Sequence, residues 1–430
     1  QGQLNAALSP NTGTARLLQV SDGESILVID LDRVSLSDLT ITSPLIFHNA
    51  SFDSAFLLDS GIDADIQCTQ LAVTALTGKQ RPSLAWSCEE LLGIPVVKTE
   101  QVSDWSGELT ADQYRYAALD AVLVHALHAE VQKRLKEKKL CHGNALVQRC
   151  VRPIARARHR GILLDTEKHQ SLVDAWTEER DTAKEKFIAI ASVDPESPKQ
   201  LAEWLTDNLA PDDLKACPNS GKGQLSTDKD TLKRFAHVPM VKPLLEYRHA
   251  GHRVKTWGEN YRRHIESDGR IRPGFQLLGA CTGRMSSNKP NVQQLPRDPA
   301  FRECLIAADG HKLVAADYGQ IELRTAGLLS GDNNILDAYR QGQDLHTKIV
   351  SMVTGKPLQE VTSGERSLGK ALNFGLLYGA GAKTFRSFAS ANYGLDITLE
   401  AAEQYKTQFD KSYAKLRFWQ LEQYRKHQQA

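Results

Sequence analysis

Between residues 364 and 381 the chain reads GERSLGKALNFGLLYGAG, and Arg366, Lys370, Phe374 and Tyr378 recur at every fourth position. At ~100° per residue, each step of four turns only ~40° past a full helical turn, so on an α-helix the four side chains share one stripe. Leu368, Leu372 and Leu376 fall roughly opposite and would pack into the body. One face therefore offers two cations followed by two aromatics. Cationic side chains hold phosphate oxygens by charge-assisted hydrogen bonds, and an aromatic face stacks on a base. The stripe suits a nucleoside triphosphate. An ordinary amphipathic helix with a solvated charged side accounts for Arg366 and Lys370, but not for Phe374 and Tyr378 in the same row beside Gly375 and Gly379.

A second segment, KLVAADYGQIELRTAGLLSGD at residues 312–332, places a short apolar run before Asp317 and opens a helical pattern within four residues. The expectation is a strand ending in Asp317, a common way to present a divalent metal to phosphates. A lone Asp at such a boundary is more commonly a helix cap. A third segment, LLGACTGRMSSNKPNVQQLP at 277–296, carries Arg284, Asn291 and Gln293. Such groups suit hydrogen bonds to the minor-groove acceptors that all base pairs share. The plain alternative is a polar surface loop. His346, within DLHTKIV, reads on its own as a structural helix residue.

The rest of the chain fixes the organisation around these segments. RLLQVSDGESILVIDL at 16–31 holds two β-rich runs around Asp22-Gly23, a hairpin signal. A strand is expected at 44–48, a helix at 53–60 and a long helix at 111–140, making residues 1–135 a compact α/β domain. Residues 145–265 read as helical and highly charged, interrupted by PNSGKGQLST; 271–317 read as strand and loop; the chain from Ile321 onward reads as helical again. No apolar run approaches the ~20 residues of a membrane helix, and residues 1–20 show no signal-peptide pattern. Seven dispersed Cys without a CxxC pair argue against a disulfide framework or a zinc site, so a reducing, cytoplasmic location is expected. The formal charge is only +1, so phosphate binding must come from local basic clusters.

DYGQIELR closely resembles the DYSQIELR segment of family A DNA polymerases, the bacterial DNA polymerase I type. The Arg/Lys/Phe/Tyr stripe resembles that family's fingers helix. Residues 277–296 resemble its TGRLSS-x-x-PNLQNIP segment, and all three stand in family order. ARHRGILLD (157–165), SPKQLAEWL (197–205) and LSTDKDTL (225–232) resemble the start of the polymerase domain and its thumb. HNASFD (48–53), LAWSCEELLGIPVVKTEQVSDW (84–105) and YAALDA (116–121) resemble a DEDDy 3′–5′ exonuclease domain related to ribonuclease D. The resemblance implies an α/β RNase H-like exonuclease domain over residues 1–135, then a mostly α, α+β right-hand polymerase domain. Its N-terminal part and thumb would span 136–265, the first part of the palm 266–330 and the fingers 331–430.

Carried over, the resemblance implies DNA-templated DNA synthesis. Asp317 would hold two Mg²⁺ ions, with Mn²⁺ as a substitute, helped by the Tyr318 carbonyl. Arg366, Lys370 and His346 would bind the triphosphate of a dNTP, with Lys370 also among the catalytic groups. Phe374 and Tyr378 would bracket base and sugar, Gln320 would belong to the nucleotide site, and Glu322 would be the steric gate against ribose. Arg284, Asn291 and Gln293 would hold primer–template DNA, and Asn49, Asp53, Tyr116 and Asp120 would form the exonuclease site. Three departures qualify this. Arg366-Ser367 stands where the family often has Arg-Arg. No HDE segment, which carries the family's second catalytic carboxylate, occurs in the 430 residues. The expectation is a fragment inactive alone, either a monomer or one completed by a second chain. Aligning on LSPNTG (8–13) places Gly2 and Leu4 where the exonuclease carboxylates belong, and the strand before them is missing, so proofreading is expected to be inactive. Two other readings stand beside this one: a ribonuclease D-like 3′–5′ exonuclease, and a non-catalytic primer–template-binding protein.

Overall fold

Asp22 closes the first hairpin by accepting hydrogen bonds from the backbone N–H groups of Glu24 (2.9 Å) and Ser25 (2.7 Å), while Gly23 supplies the positive φ of 95°. The flanking strands Leu17–Ser21 and Ile26–Asp30 pair antiparallel, as the Asp-Gly signal predicts. This computed structural model describes residues 13–429 except 42, 59, 63, 98–99, 101–102 and 222. Gly2 and Leu4 lie outside the described residues. The chain divides into two compact units, Gln1–Leu313 and Val314–Ala430.

In the first unit, strand Leu45–Phe47 pairs parallel with Ile66–Cys68, and helix Ala50–Phe56 lies between them in sequence. That helix begins three residues before the expected 53–60. Asn49 bends the chain in the left-handed region (φ 77°), and the Ala50 N–H donates to the Cys68 sulfur, so the turn is set by the neighbouring strand. The long helix Ala111–Glu137 opens with a reciprocal Thr110–Gln113 capping box. Its Leu127, Val131 and Leu135 complete an apolar cluster with Ala72, Val73, Leu76 and Leu91. It stops short of 140 because Lys139 turns left-handed and the Leu140 N–H folds back to the Leu135 carbonyl.

Beyond it, helix Thr166–Ala191 packs along Val241–Arg253. A three-stranded sheet has Ile162–Leu164 at its centre, flanked by Arg270–Ile271 and Leu305–Ile306. The fully buried Trp176, Tyr261 and Phe301 pack beside it. Strands Gly274–Gln276 and Ser286–Asn288 pair antiparallel and carry the 277–296 segment.

The second unit is built from helices Ile321–Ser330, Asn333–Arg340, Leu345–Thr354, Ser363–Leu376, Ala382–Tyr393, Leu399–Ser412 and Ala414–Gln429. The strand expected before Asp317 does not form: residues 311–318 join no ladder, and Val314 is 89% exposed. An apolar run becomes a strand only when neighbours take up its backbone groups, and among the described residues none does. Asp317 therefore stands on an exposed loop, not at a strand end.

Candidate active site

Helix Ser363–Leu376 carries the cationic and aromatic stripe. Thr362 and Glu365 form a second capping box, and Lys356 Nζ holds the Glu365 carboxylate at 2.9 Å. The Thr362 N–H, then Lys356, hold that carboxyl down to about 2. The helix buries Gly369, Leu372, Asn373 and Leu376, leaving Arg366, Lys370 and Phe374 half-buried along the other side. Each fully buried Leu stabilises the packing by ~2 kcal/mol. The stripe is one residue shorter than the spacing predicts, because Tyr378 lies past the helix end and is 73% exposed. Gly379 adopts φ 79° and returns its N–H to the Leu376 carbonyl, while the Gln420 amide donates to the carbonyls of Leu376 and Leu377. These contacts end the helix, and Tyr378 extends the row from a turn.

Gly369 sets how closely helix Leu345–Thr354 approaches. A Cβ there would lie 2.0 Å from the His346 carbonyl oxygen. That approach brings His346 against the stripe, its ring centroid 5.4 Å from that of Phe374 and its Nδ1 3.0 Å from the Asn373 amide nitrogen. His346 is 3% exposed, so it sits in the seam between helices and not on an open surface. Burial first lowers its pKa; Asp344 opposes this, and Arg366 and Lys370 add to it.

Arg366 is held in a two-pronged pair by Asp344, at 2.8 and 2.9 Å. Asp344 also caps helix Leu345–Thr354 through the Thr347 N–H and hydroxyl. Sequence reasoning missed Asp344, although it stands two residues before His346 in the same segment. An anion approaching Arg366 meets a guanidinium already engaged by a carboxylate, and the two compete.

The loop before helix Ile321–Ser330 presents Asp317 and Tyr318, both exposed. Gln320 turns left-handed (φ 54°), and its side-chain oxygen accepts from the Tyr339 hydroxyl at 2.7 Å. The Arg324 guanidinium lies 4.0 Å from the Tyr339 ring and donates to the Gly319 carbonyl at 2.9 Å. Burial pushes the Tyr339 hydroxyl up to about 12, with Arg324 opposing and Asp344 adding. Tyr339 and Arg324 thus shape the loop, and Glu322 sits half-buried in the first helical turn.

In the first unit, Arg284 is exposed, whereas Asn291 and Gln293 are partly spent on their own loop. Asn291 accepts from the Ser287 hydroxyl (3.0 Å) and the Gln293 N–H (3.1 Å), and the Gln293 amide donates to the Met285 carbonyl (2.9 Å). Asp53 is partly buried and its carboxyl is pushed up to about 7 by burial, opposed by Arg158, whose guanidinium lies 4.9 Å from the Phe52 ring. Tyr116 packs on Trp105, ring centroids 6.3 Å apart, one turn before Asp120. Burial and then the Asp120 charge raise both the Tyr116 hydroxyl and the Cys88 thiol, the latter to about 11. Asp120 therefore keeps company with Tyr116 and Cys88, and Asp53 with Arg158. Among the described residues no three His, Cys, Asp or Glu side chains gather as a metal-binding group.

The profile of DNA polymerase family A matches residues 166–430, and that of a 3′–5′ exonuclease matches residues 11–136. DNA polymerase I of Aquifex aeolicus is 33% identical over 427 residues, which cover 94% of this chain and 73% of that protein. The thermostable DNA polymerase I of Thermus caldophilus is 32% identical over 73% of this chain and 38% of its own length. DNA polymerase I of Pseudomonas aeruginosa is 31% identical over 68% of this chain and 34% of its own length. The chain thus spans a little over a third of these two relatives. A solved structure of the POL domain of Pol1 from M. smegmatis, in complex with DNA primer-template and dNTP, superposes with a TM-score of 0.77 at 24% identity. It covers 94% of this chain and 71% of that chain, a likeness of fold.

Proposed function

Since the chain belongs to DNA polymerase family A, a family whose chemistry is DNA-templated DNA synthesis, we propose that its own residues divide that reaction as follows. Arg366 and Lys370 take up the negative charge of an incoming dNTP triphosphate, and Arg366 exchanges its Asp344 partner for phosphate as it does so. Phe374 flanks the base and Tyr378 the sugar. Glu322 crowds the 2′-carbon and disfavours ribose. Gln320, fixed by Tyr339, keeps the loop that bears Asp317 in one shape where it enters the helix that carries Glu322. His346 supports the stripe from within the helix seam. The observation that carries this reading is one capped helix presenting Arg366, Lys370 and Phe374 together over an otherwise buried face.

Asp317 and the Tyr318 carbonyl are exposed oxygen donors, and they fit a hard divalent cation such as Mg²⁺ or Mn²⁺. When bound, such an ion supplies charge neutralisation at the triphosphate and an acidified primer 3′-hydroxyl. Arg284, Asn291 and Gln293 line a loop suited to primer–template DNA. Residues 1–135 form the exonuclease-like domain, 136–265 the polymerase N-terminal part and thumb, 266–330 the first part of the palm and 331–430 the fingers. The same reading makes it a cytoplasmic protein that acts as a monomer or is completed by a second chain.

Primer extension on a primed DNA template tests the assignment. The gene product carrying this chain should extend with dNTPs and Mg²⁺, and Asp317→Ala should lower the rate by several orders of magnitude, because positioning and charge neutralisation carry most of this catalysis. Extension by the Ala variant at more than a few per cent of the parent rate would sink the role given to Asp317.

A further inference from the structure

Two leucines at the start of the 277–296 segment leave their own domain. Leu277 and Leu278 pack against the apolar cluster of Ala50, Cys68, Leu71 and Val151, most of which belongs to the exonuclease-like part of the chain. Leu278 does so from the left-handed region, at φ 54°. A branched side chain holds that conformation only where its surroundings over-determine it. A second tie comes from the same side. The Gln80 amide, with its nitrogen turned to the loop, donates to the carbonyls of Leu278 (2.6 Å) and Gly279 (3.3 Å). The seat is itself braced, because the Gln148 amide bonds both the N–H (2.7 Å) and the carbonyl (2.9 Å) of Cys68 at the end of its strand.

From this seat the constraint passes directly to Arg284. A Cβ on Gly279 would stand 2.0 Å from the Ser286 hydroxyl oxygen, so the two arms of the segment are pressed together there. The next residue, Ala280, donates its N–H to the Arg284 carbonyl at 3.0 Å, and Gly283 returns its N–H to Ala280 at 2.9 Å. The turn bearing Arg284 thus begins two residues after the leucine seated in the other domain.

We propose that the exonuclease-like domain holds the primer–template loop in place, with Leu278 as the positioning residue that sets where Arg284 meets DNA. This rests on the reading of 277–296 as a primer–template contact, and it makes DNA affinity depend on a domain irrespective of whether that domain hydrolyses anything.

The test is equilibrium binding of a fluorescently labelled primer–template to the whole protein across a range of salt. Arg284→Ala should weaken binding about tenfold and flatten the salt dependence by about one counterion. Leu278→Gly removes the seated side chain at a φ that glycine tolerates; with Leu71→Ala and Gln80→Ala, it should weaken binding by about three- to tenfold with the same flattened slope. Leu278→Met should retain the parent affinity. Val131→Ala, in the domain's other apolar cluster, should lower the melting temperature yet leave the affinity unchanged. If Arg284→Ala weakens binding while Leu278→Gly, Leu71→Ala and Gln80→Ala do not, or if Val131→Ala weakens it equally, the positioning role is wrong and the loop reading stands. Parent affinity in Arg284→Ala removes the loop reading, and the proposal with it.

Discussion

At the scale of single residues, Asp344 decides how Arg366 is presented. Burial opposes ionisation of its carboxyl, but the hydrogen bonds from Arg366 and Thr347 outweigh that and hold it well below the usual carboxylate range. A carboxyl depressed in the folded state contributes stability above its unfolded pKa and loses it as pH falls through the folded value, here below about 4. Asn caps a helix as well as Asp, so Asp344→Asn removes the ion pair and keeps the cap. It should cost about 1 kcal/mol at pH 7, since the pair is a third exposed and screened. In thermal melts the gap between parent and variant should narrow as pH drops below 4; a gap independent of pH would show that the pair contributes nothing. Glu322 lends itself to an equally local measurement. Glu322→Ala should admit ribonucleotides in single-nucleotide competition while impairing dNTP turnover less than Asp317→Ala does, and unchanged sugar discrimination would remove Glu322 as the gate.

Among elements, the crossing of helices Leu345–Thr354 and Ser363–Leu376 carries the proposed dNTP site. Any side chain at Gly369 meets the His346 backbone, which cannot yield as a flexible side chain could. Gly369→Ala should therefore destabilise the protein by about 1–3 kcal/mol and raise the KM for dNTPs, because His346 and the stripe move apart. Denaturant unfolding at parent stability would contradict this packing. Spacing every four residues was enough to reveal the helix and the face shared by Arg366, Lys370 and Phe374, because that periodicity is intrinsic to the backbone. It could not reveal where the helix stops, which depends on Gln420, some forty positions away. For the same reason the apolar run at 312–316 misled: a strand is a property of its neighbours. Asp344, Tyr339 and Arg324 were also illegible, since their parts arise from contacts between separate helices. The hairpin at Asp22-Gly23, which is wholly local, was read correctly.

Across the whole molecule, motif order showed the family, while the reach of Leu277 and Leu278 into the exonuclease-like part arises from packing between segments far apart in the chain. That part keeps Asn49, Asp53, Tyr116 and Asp120, but Asp53 lies beside Arg158, and the aligned positions Gly2 and Leu4 carry no ligand atoms. No 3′ shortening of a mismatched, end-labelled primer is expected with Mg²⁺ or Mn²⁺ in the absence of dNTPs. Progressive shortening lost on Asp53→Ala would show that other ligands complete the site. If the stripe of helix Ser363–Leu376 binds a dNTP for templated synthesis, single-turnover incorporation opposite a defined template base reads it out. The gene product carrying this chain should insert only the complementary dNTP, and Lys370→Ala should slow that insertion by about a hundredfold or more through lost charge stabilisation of the triphosphate. Insertion at the parent rate by Lys370→Ala, or insertion that ignores the template base, would rule out a dNTP role for the stripe.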